Sequence, residues 1–155
     1  MAKTVTITLD DKALNKQIKD ALKRNPKVTA RKVATIGIDL ASKSARRAPI
    51  ESGDLRNNCS AQLNGRTIFA NQSGVPTAVS ATKATASVGY SLPYALRQHE
   101  ELGYSHDRTD GYKRADGSTV NMVAGGESKF LEKPFEENKQ KYIDMIAKIP
   151  DEVLK

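Results

Sequence analysis

The stretch from Lys27 to Arg47 lies between Pro26 and Pro49 and is dense in Ala, Lys and Arg. Proline lacks the amide donor that a helix interior needs and restricts the residue before it, so the two prolines bound a single helix. At 1.5 Å per residue that helix is about 30 Å long, the width of a small domain. Whatever else the chain forms must pack around it. On a wheel of about 100° per residue, Val33, Ala34, Gly37, Leu40, Ala41 and Ala48 share one side, while Arg31, Lys32, Lys43, Arg46 and Arg47 gather opposite. Ala34, Gly37, Ala41 and Ser44 keep the first side slim. Small side chains let a helix lie close to a sheet or a second helix, so the stripe reads first as core and second as a face for a neighbouring subunit.

The flanking segments supply the partners. Val5, Ile7 and Leu9 alternate with Thr4, Thr6 and Thr8, a period-two pattern that predicts a short strand. Asp10 or Asp11 then caps a helix carrying Leu14, Ile18, Ala21 and Leu22, which Asn25-Pro26 stops or kinks. After Pro49, Ser52-Gly53-Asp54 reads as a turn. Strands are expected over residues 55–63 and 66–71, joined at Asn64-Gly65, a strong signal for a tight hairpin. Residues 72–83 are small and polar and predict a loop or a weak edge strand. Alternation returns at Thr85–Tyr90. Pro93 opens a short helix, Tyr94–Leu102, which Gly103 ends. Within the polar segment 104–126, Tyr112–Arg114 and Thr119–Val123 flank Asp116-Gly117 and predict a small protruding hairpin. The last helix begins near Lys133–Pro134, with Phe135, Tyr142, Ile146 and Ile149 on one side. The expected class is α+β: a long N-terminal helix on an antiparallel sheet of about four strands, a short middle helix and a C-terminal helix. No repeat or long linker divides the chain, so residues 1–155 read as one domain.

Composition narrows the function. With 155 residues, 38% hydrophobic and no tryptophan, the chain has a lean core. No apolar run approaches the roughly 20 residues of a spanning helix, and Met1–Val5 starts no secretory signal, so no membrane partner is expected. The net charge of +7 is unevenly placed. Residues 1–47 hold 12 Lys/Arg against 4 Asp/Glu, whereas residues 48–155 hold 13 against 14. A basic end on a neutral body suits an acidic partner as well as a solvated helix coat. Arg31, Lys32, Lys43, Arg46 and Arg47 are the candidate contacts to such a partner or to DNA. The first aromatic residue is Phe69, so base stacking is not expected from the basic third and phosphate attraction remains.

Catalytic signatures are missing. Cys59 is the one cysteine, so neither an internal disulfide nor a multi-cysteine metal cage is available. It falls in an expected strand with nothing nearby to activate it. His99 and His106 are seven apart with Gly103 between them, and Glu100 and Glu101 sit beside the first. That spacing lacks the rigidity of a metal site, and a carboxylate or backbone partner for His99 is the default. The paired acids Glu100-Glu101 and Glu136-Glu137 do not face each other on a helix. No P-loop, dinucleotide fingerprint, Gly-x-Ser-x-Gly or His-Glu-x-x-His occurs. The expectation is a protein that is not an enzyme, with no cofactor and no metal.

Three segments carry a resemblance. They are Arg46-Arg47-Ala48-Pro49-Ile50-Glu51-Ser52-Gly53-Asp54-Leu55-Arg56; Val88-Gly89-Tyr90 with Pro93-Tyr94-Ala95 and Gln98-His99-Glu100; and Gly125-Gly126-Glu127-Ser128-Lys129-Phe130-Leu131-Glu132-Lys133-Pro134. In that order they resemble the tail-completion, or head–tail joining, proteins of long-tailed bacteriophages, over roughly residues 30–145. In that family a long helix ends in Ala-Pro, a Ser/Thr-Gly-x-Leu turn enters the sheet, a Tyr-Ala segment with His-Glu follows, and an aromatic-Leu-x-x-Pro stretch opens the last helix. Residues 107–123 depart from the pattern as an inserted hairpin. The resemblance implies a virion protein of the neck, made in the host cytoplasm. It would form a homo-oligomeric ring, a hexamer, and contact the head connector or head-closure protein and the tail terminator or tail tube protein, with genomic DNA passing through. Pro49, Gly53, Leu55, Tyr94, His99, Glu100, Phe130, Leu131 and Pro134 are then positions that define the fold: Gly53 allows a positive φ that turns Leu55 inward, Tyr94 buries its ring and keeps its hydroxyl wet, and Phe130, Leu131 and Pro134 anchor the last helix.

Overall fold

The computed structural model describes residues 11–49, 53–70, 73–74, 84–100, 112–113, 119–120 and 126–149. The strand expected at residues 5–9, His106 and most of the two polar loops lie outside them. Two helices open the described chain. Asp11 caps α1 (Lys12–Arg24) by accepting the Leu14 amide at 2.8 Å, a cap worth about 1 kcal/mol. Asn25 alone separates α1 from α2 (Pro26–Arg47). Its amide donates back to Ala21 O at 2.8 Å, and its carbonyl accepts the Thr29 amide at 3.0 Å and the Thr29 hydroxyl at 2.7 Å. Pro26 occupies the first turn of α2, where its missing donor costs nothing. The Asn25-Pro26 pair is therefore a full break between helices.

Helix α2 is the axis of the molecule. Its buried residues, from Thr29 and Ala30 through Ile36 and Leu40 to Ala45, cover more than a narrow stripe. One part of this surface meets the sheet and another meets α1 and α5 (Glu132–Ala147). Gly37 sets the helix–sheet distance. A Cβ there would sit 3.1 Å from the Ala86 Cβ and 3.6 Å from Ile68 Cδ1.

The sheet is antiparallel, in the order β3-β2-β1-β4. Three strands form its body: β1 (Ser60–Leu63), β2 (Arg66–Ala70) and β4 (Ala86–Gly89). The two-residue β3 (Ser73–Gly74) adds an edge inside the segment expected to be a loop or weak edge strand. Asn64 and Gly65 turn β1 into β2 with φ of 50° and 81°, the pair of left-handed conformations a two-residue hairpin needs. The register shifts between Ala61 and Gln62. A bulge of this kind lets adjacent residues face one way, and Ile68 and Phe69 are both buried.

One expected strand begins late. Residues 54–58 form a short helix, α3 (Asp54–Asn58), and β1 starts only at Ser60. Gly53 takes φ 84° just before α3, a conformation that disfavours any residue with a Cβ, and Leu55 is buried behind it. The apolar spacing agrees with the observed change. Leu55 and Cys59 are four apart, a helical interval, whereas Cys59, Ala61 and Leu63 alternate as in a strand and are all buried. Beyond the sheet come α4 (Ala95–Glu100), the separate two-stranded ladder of β5 (Tyr112–Lys113) and β6 (Thr119–Val120), and α5. Phe135, Tyr142, Ile146 and Ile149 of the last helical segment are all buried.

Candidate functional site

The three separated segments come together at the third, which carries Phe130. Phe130 is fully buried. Tyr90 meets it edge-on at 5.1 Å between centroids and His99 does the same at 5.0 Å from α4. The Tyr90 hydroxyl shares a 2.7 Å hydrogen bond with Ser44 Oγ of α2, one of the small residues of the stripe. Burial drives the Tyr90 phenol far above its ordinary pKa, so it stays protonated. Nearby, Cys59 is buried and its thiol donates to Ala41 O at 3.4 Å. Burial pushes that thiol up to about 11, which leaves little thiolate at neutral pH.

Backbone contacts lock the cluster. Gly126 lies against Pro49 so closely that a Cβ would fall 2.4 Å from Pro49 Cα. The Glu127 amide donates to Arg47 O at 3.0 Å and the Lys129 amide donates to His99 O at 2.8 Å. Arg56 Nε donates to Ala48 O at 2.8 Å, satisfying a carbonyl at the end of α2. Asn58 Oδ1 accepts the amides of Ser91 and Leu92 at 2.6 and 3.2 Å. Lys129 adopts φ 58°, unusual for a residue with a Cβ. It is held there from both ends, since its ammonium reaches Glu100 at 2.6 Å and Glu132 at 3.0 Å. Leu131 and Pro134 are buried where α5 begins.

His99 is fully buried in the cluster. Its Nδ1 lies 2.7 Å from Glu100 Oε1. Lys129, then His99, hold the Glu100 carboxyl below the usual carboxylate range. His99 Nε2 and Gln98 Oε1 are buried without a hydrogen-bond partner. Among the described residues no group of three or more His, Cys, Asp or Glu is placed to hold a metal ion, and no described helix is long and apolar enough to cross a membrane.

The five basic candidates of α2 do not share one open face. Lys43 turns toward α5, donating to Asp39 and to Asn138 Oδ1 at 2.6 Å each. Asp39 also accepts the Tyr142 hydroxyl at 2.8 Å and pairs with Lys141 at 3.4 Å. Burial would raise the Asp39 carboxyl, but Lys43 and Tyr142 outweigh it and hold it below its ordinary value. Arg47 forms a fork on Glu137, at 2.8 and 2.5 Å, and lies 3.3 Å from Glu127. Lys43 and Arg47 thus fasten α2 to α5 and to the Gly126–Lys129 segment. Arg31 and Arg46 are exposed and Lys32 is half-buried. A wheel groups residues by angle but does not show that α5 lies over part of the basic arc.

Tyr94 differs from the expectation. It is 43% exposed, and the buried tyrosine of the second segment is Tyr90. The signal for Tyr90 was its register: Val88 and Tyr90 fall on the same inward face of an alternating strand. The Gly126–Pro49 approach and the Ser44–Tyr90 bond had no comparable local signal. No protein-family model, no curated protein and no solved structure matches the chain.

Proposed function

We propose that this chain is a head–tail joining protein of a tailed bacteriophage, six copies of which close into a ring at the neck. In this reading the ring sits between the head connector or head-closure protein and the tail terminator or tail tube, and genomic DNA passes through it. The supporting observation is the convergence on Phe130. The three segments that resemble the family, far apart in sequence, meet through Gly126 on Pro49, Tyr90 and His99 on Phe130, and Lys129 on Glu100. These residues give the subunit a fixed shape, which is what a joining ring requires.

Head-to-tail contacts that close by rotation make rings. A ring then repeats each weak contact, and repetition makes the joint strong. Leu96, 43% exposed on the same short helix as His99, offers apolar surface to a neighbouring copy. The test is to delete the gene from its phage and image the lysate. Filled heads and separate, complete tails are expected. Normally joined particles would defeat the proposal.

A further inference from the structure

We infer that the outer face of α1 is a docking surface for the phosphate backbone of duplex nucleic acid. Lys12, Lys16, Lys19 and Lys23 are all exposed. Their spacings of four, three and four residues stack them on one face of the helix. Leu14 and Ala21 are buried on the opposite side, with Ile18 and Leu22 packed against the core. Over eleven residues the row is about 16 Å long. Among the described residues, none of the four lysines takes part in an ion pair, whereas Lys43, Arg47, Lys129, Lys133, Lys139 and Lys141 all do. The protein therefore neutralises the cations that face its own helices and leaves this row open. Residues 11–31 carry seven Lys/Arg and two Asp/Glu. One of those acids, Asp11, is already paired with Lys139 at 2.5 Å. Like charges at these intervals repel, so the row is tolerated for some reason other than helix stability.

Charge and packing select the occupant. Duplex DNA presents one negative charge per roughly 1.7 Å of axis, so a row of this length faces several phosphates. No aromatic residue precedes Phe69, which removes stacking on unpaired bases. The apolar side of α1 is spent on α2 and α5 and has nothing to insert into a lipid surface. A second copy of the chain offers no matching acidic face among the described residues, because the exposed acids of α5, Glu136, Glu137 and Asp144, lie among Lys133, Lys141 and Lys148, and Glu137 is already paired with Arg47. This inference stands on α1 alone and does not require the ring.

The test is fluorescence anisotropy of the full chain with a labelled duplex of about 25 base pairs, across roughly 50–200 mM salt. Four phosphate contacts give a log–log salt slope of about −3.6, a loss of roughly 100-fold in affinity over that range. Each single Lys→Gln change on the row should flatten the slope by about 0.9. The K12Q/K16Q/K19Q/K23Q variant should lose nearly all of it, while R66Q, at an exposed position of β2, leaves it unchanged. Glutamine matches lysine in helix propensity, so all variants should melt with the wild type, which separates lost binding from lost folding. An unchanged slope in the quadruple variant would overturn the inference. So would no duplex binding at the lowest salt, or tighter binding to phosphatidylserine vesicles than to the duplex.

Discussion

Phe130→Ala should lower the unfolding free energy by about 3–5 kcal/mol, the usual cost of emptying a buried aromatic site. The ring is fully buried and supports two others, Tyr90 at 5.1 Å and His99 at 5.0 Å. Removing it leaves a cavity bounded by groups that cannot easily collapse. Tyr90 is tied to Ser44 on α2, and His99 is tied through its carbonyl to the Lys129 amide. For a domain of this size a loss of 1 kcal/mol moves the melting temperature by about 2–4 °C, so a fall of roughly 6–20 °C is expected by calorimetry. Phe130→Leu separates volume from ring geometry. It keeps most of the apolar bulk and gives up two edge contacts worth about 0.5–1.5 kcal/mol each, so it should fall between wild type and the alanine variant.

Gly126→Ala is expected to be nearly as damaging, although it adds one methyl group. The new Cβ would lie 2.4 Å from Pro49 Cα and 2.9 Å from Pro49 N. Both are backbone atoms that cannot swing aside as a side-chain tip can, so the two segments must part. That movement strains the Glu127 amide bond to Arg47 O at 3.0 Å and the Arg47–Glu127 ion pair. Overpacking of this kind costs about 1–3 kcal/mol, and more where backbone must move. A urea titration should show a lower midpoint at a nearly constant slope. Gly65→Ala provides the contrast: Gly65 has φ 81° and no neighbour within 4 Å of the added carbon. It should cost only the local strain of about 1–2 kcal/mol.

Much of this architecture was legible because it rests on local chemistry. Asp11, Asn25-Pro26 and Pro49 mark helix ends through capping and the missing proline donor, and the Asn64-Gly65 hairpin follows from two left-handed residues in succession. Period-two burial located β4, and helical spacing located the inward side of α5. The failures came where a distant partner decides. Leu55 fell inside the strand expected over residues 55–63, but Gly53 in the left-handed region starts a helical turn, and Leu55 and Cys59 are both buried at helical spacing. Tyr94 and Tyr90 are equally plausible as a buried aromatic until the register of β4 is fixed. Lys43 and Arg47 looked like part of an open basic face because nothing local reveals that Asn138 and Glu137 lie opposite them, although Asp39, four residues before Lys43, was a local signal for one pair. In the candidate site, Pro49, Gly126, His99 and Phe130 were each visible as motif residues. Their meeting was not, since it depends on how α2, α4 and α5 pack.

The central claim is that this subunit acts through its shape and copy number at a junction. Cryo-electron microscopy of intact particles, with reconstruction focused on the neck, tests it most directly. The account predicts a ring of six copies of this chain between the portal vertex and the tail, with the Phe130 cluster buried inside each subunit. Particles whose neck lacks the chain, or a neck density into which this fold does not fit, would contradict it.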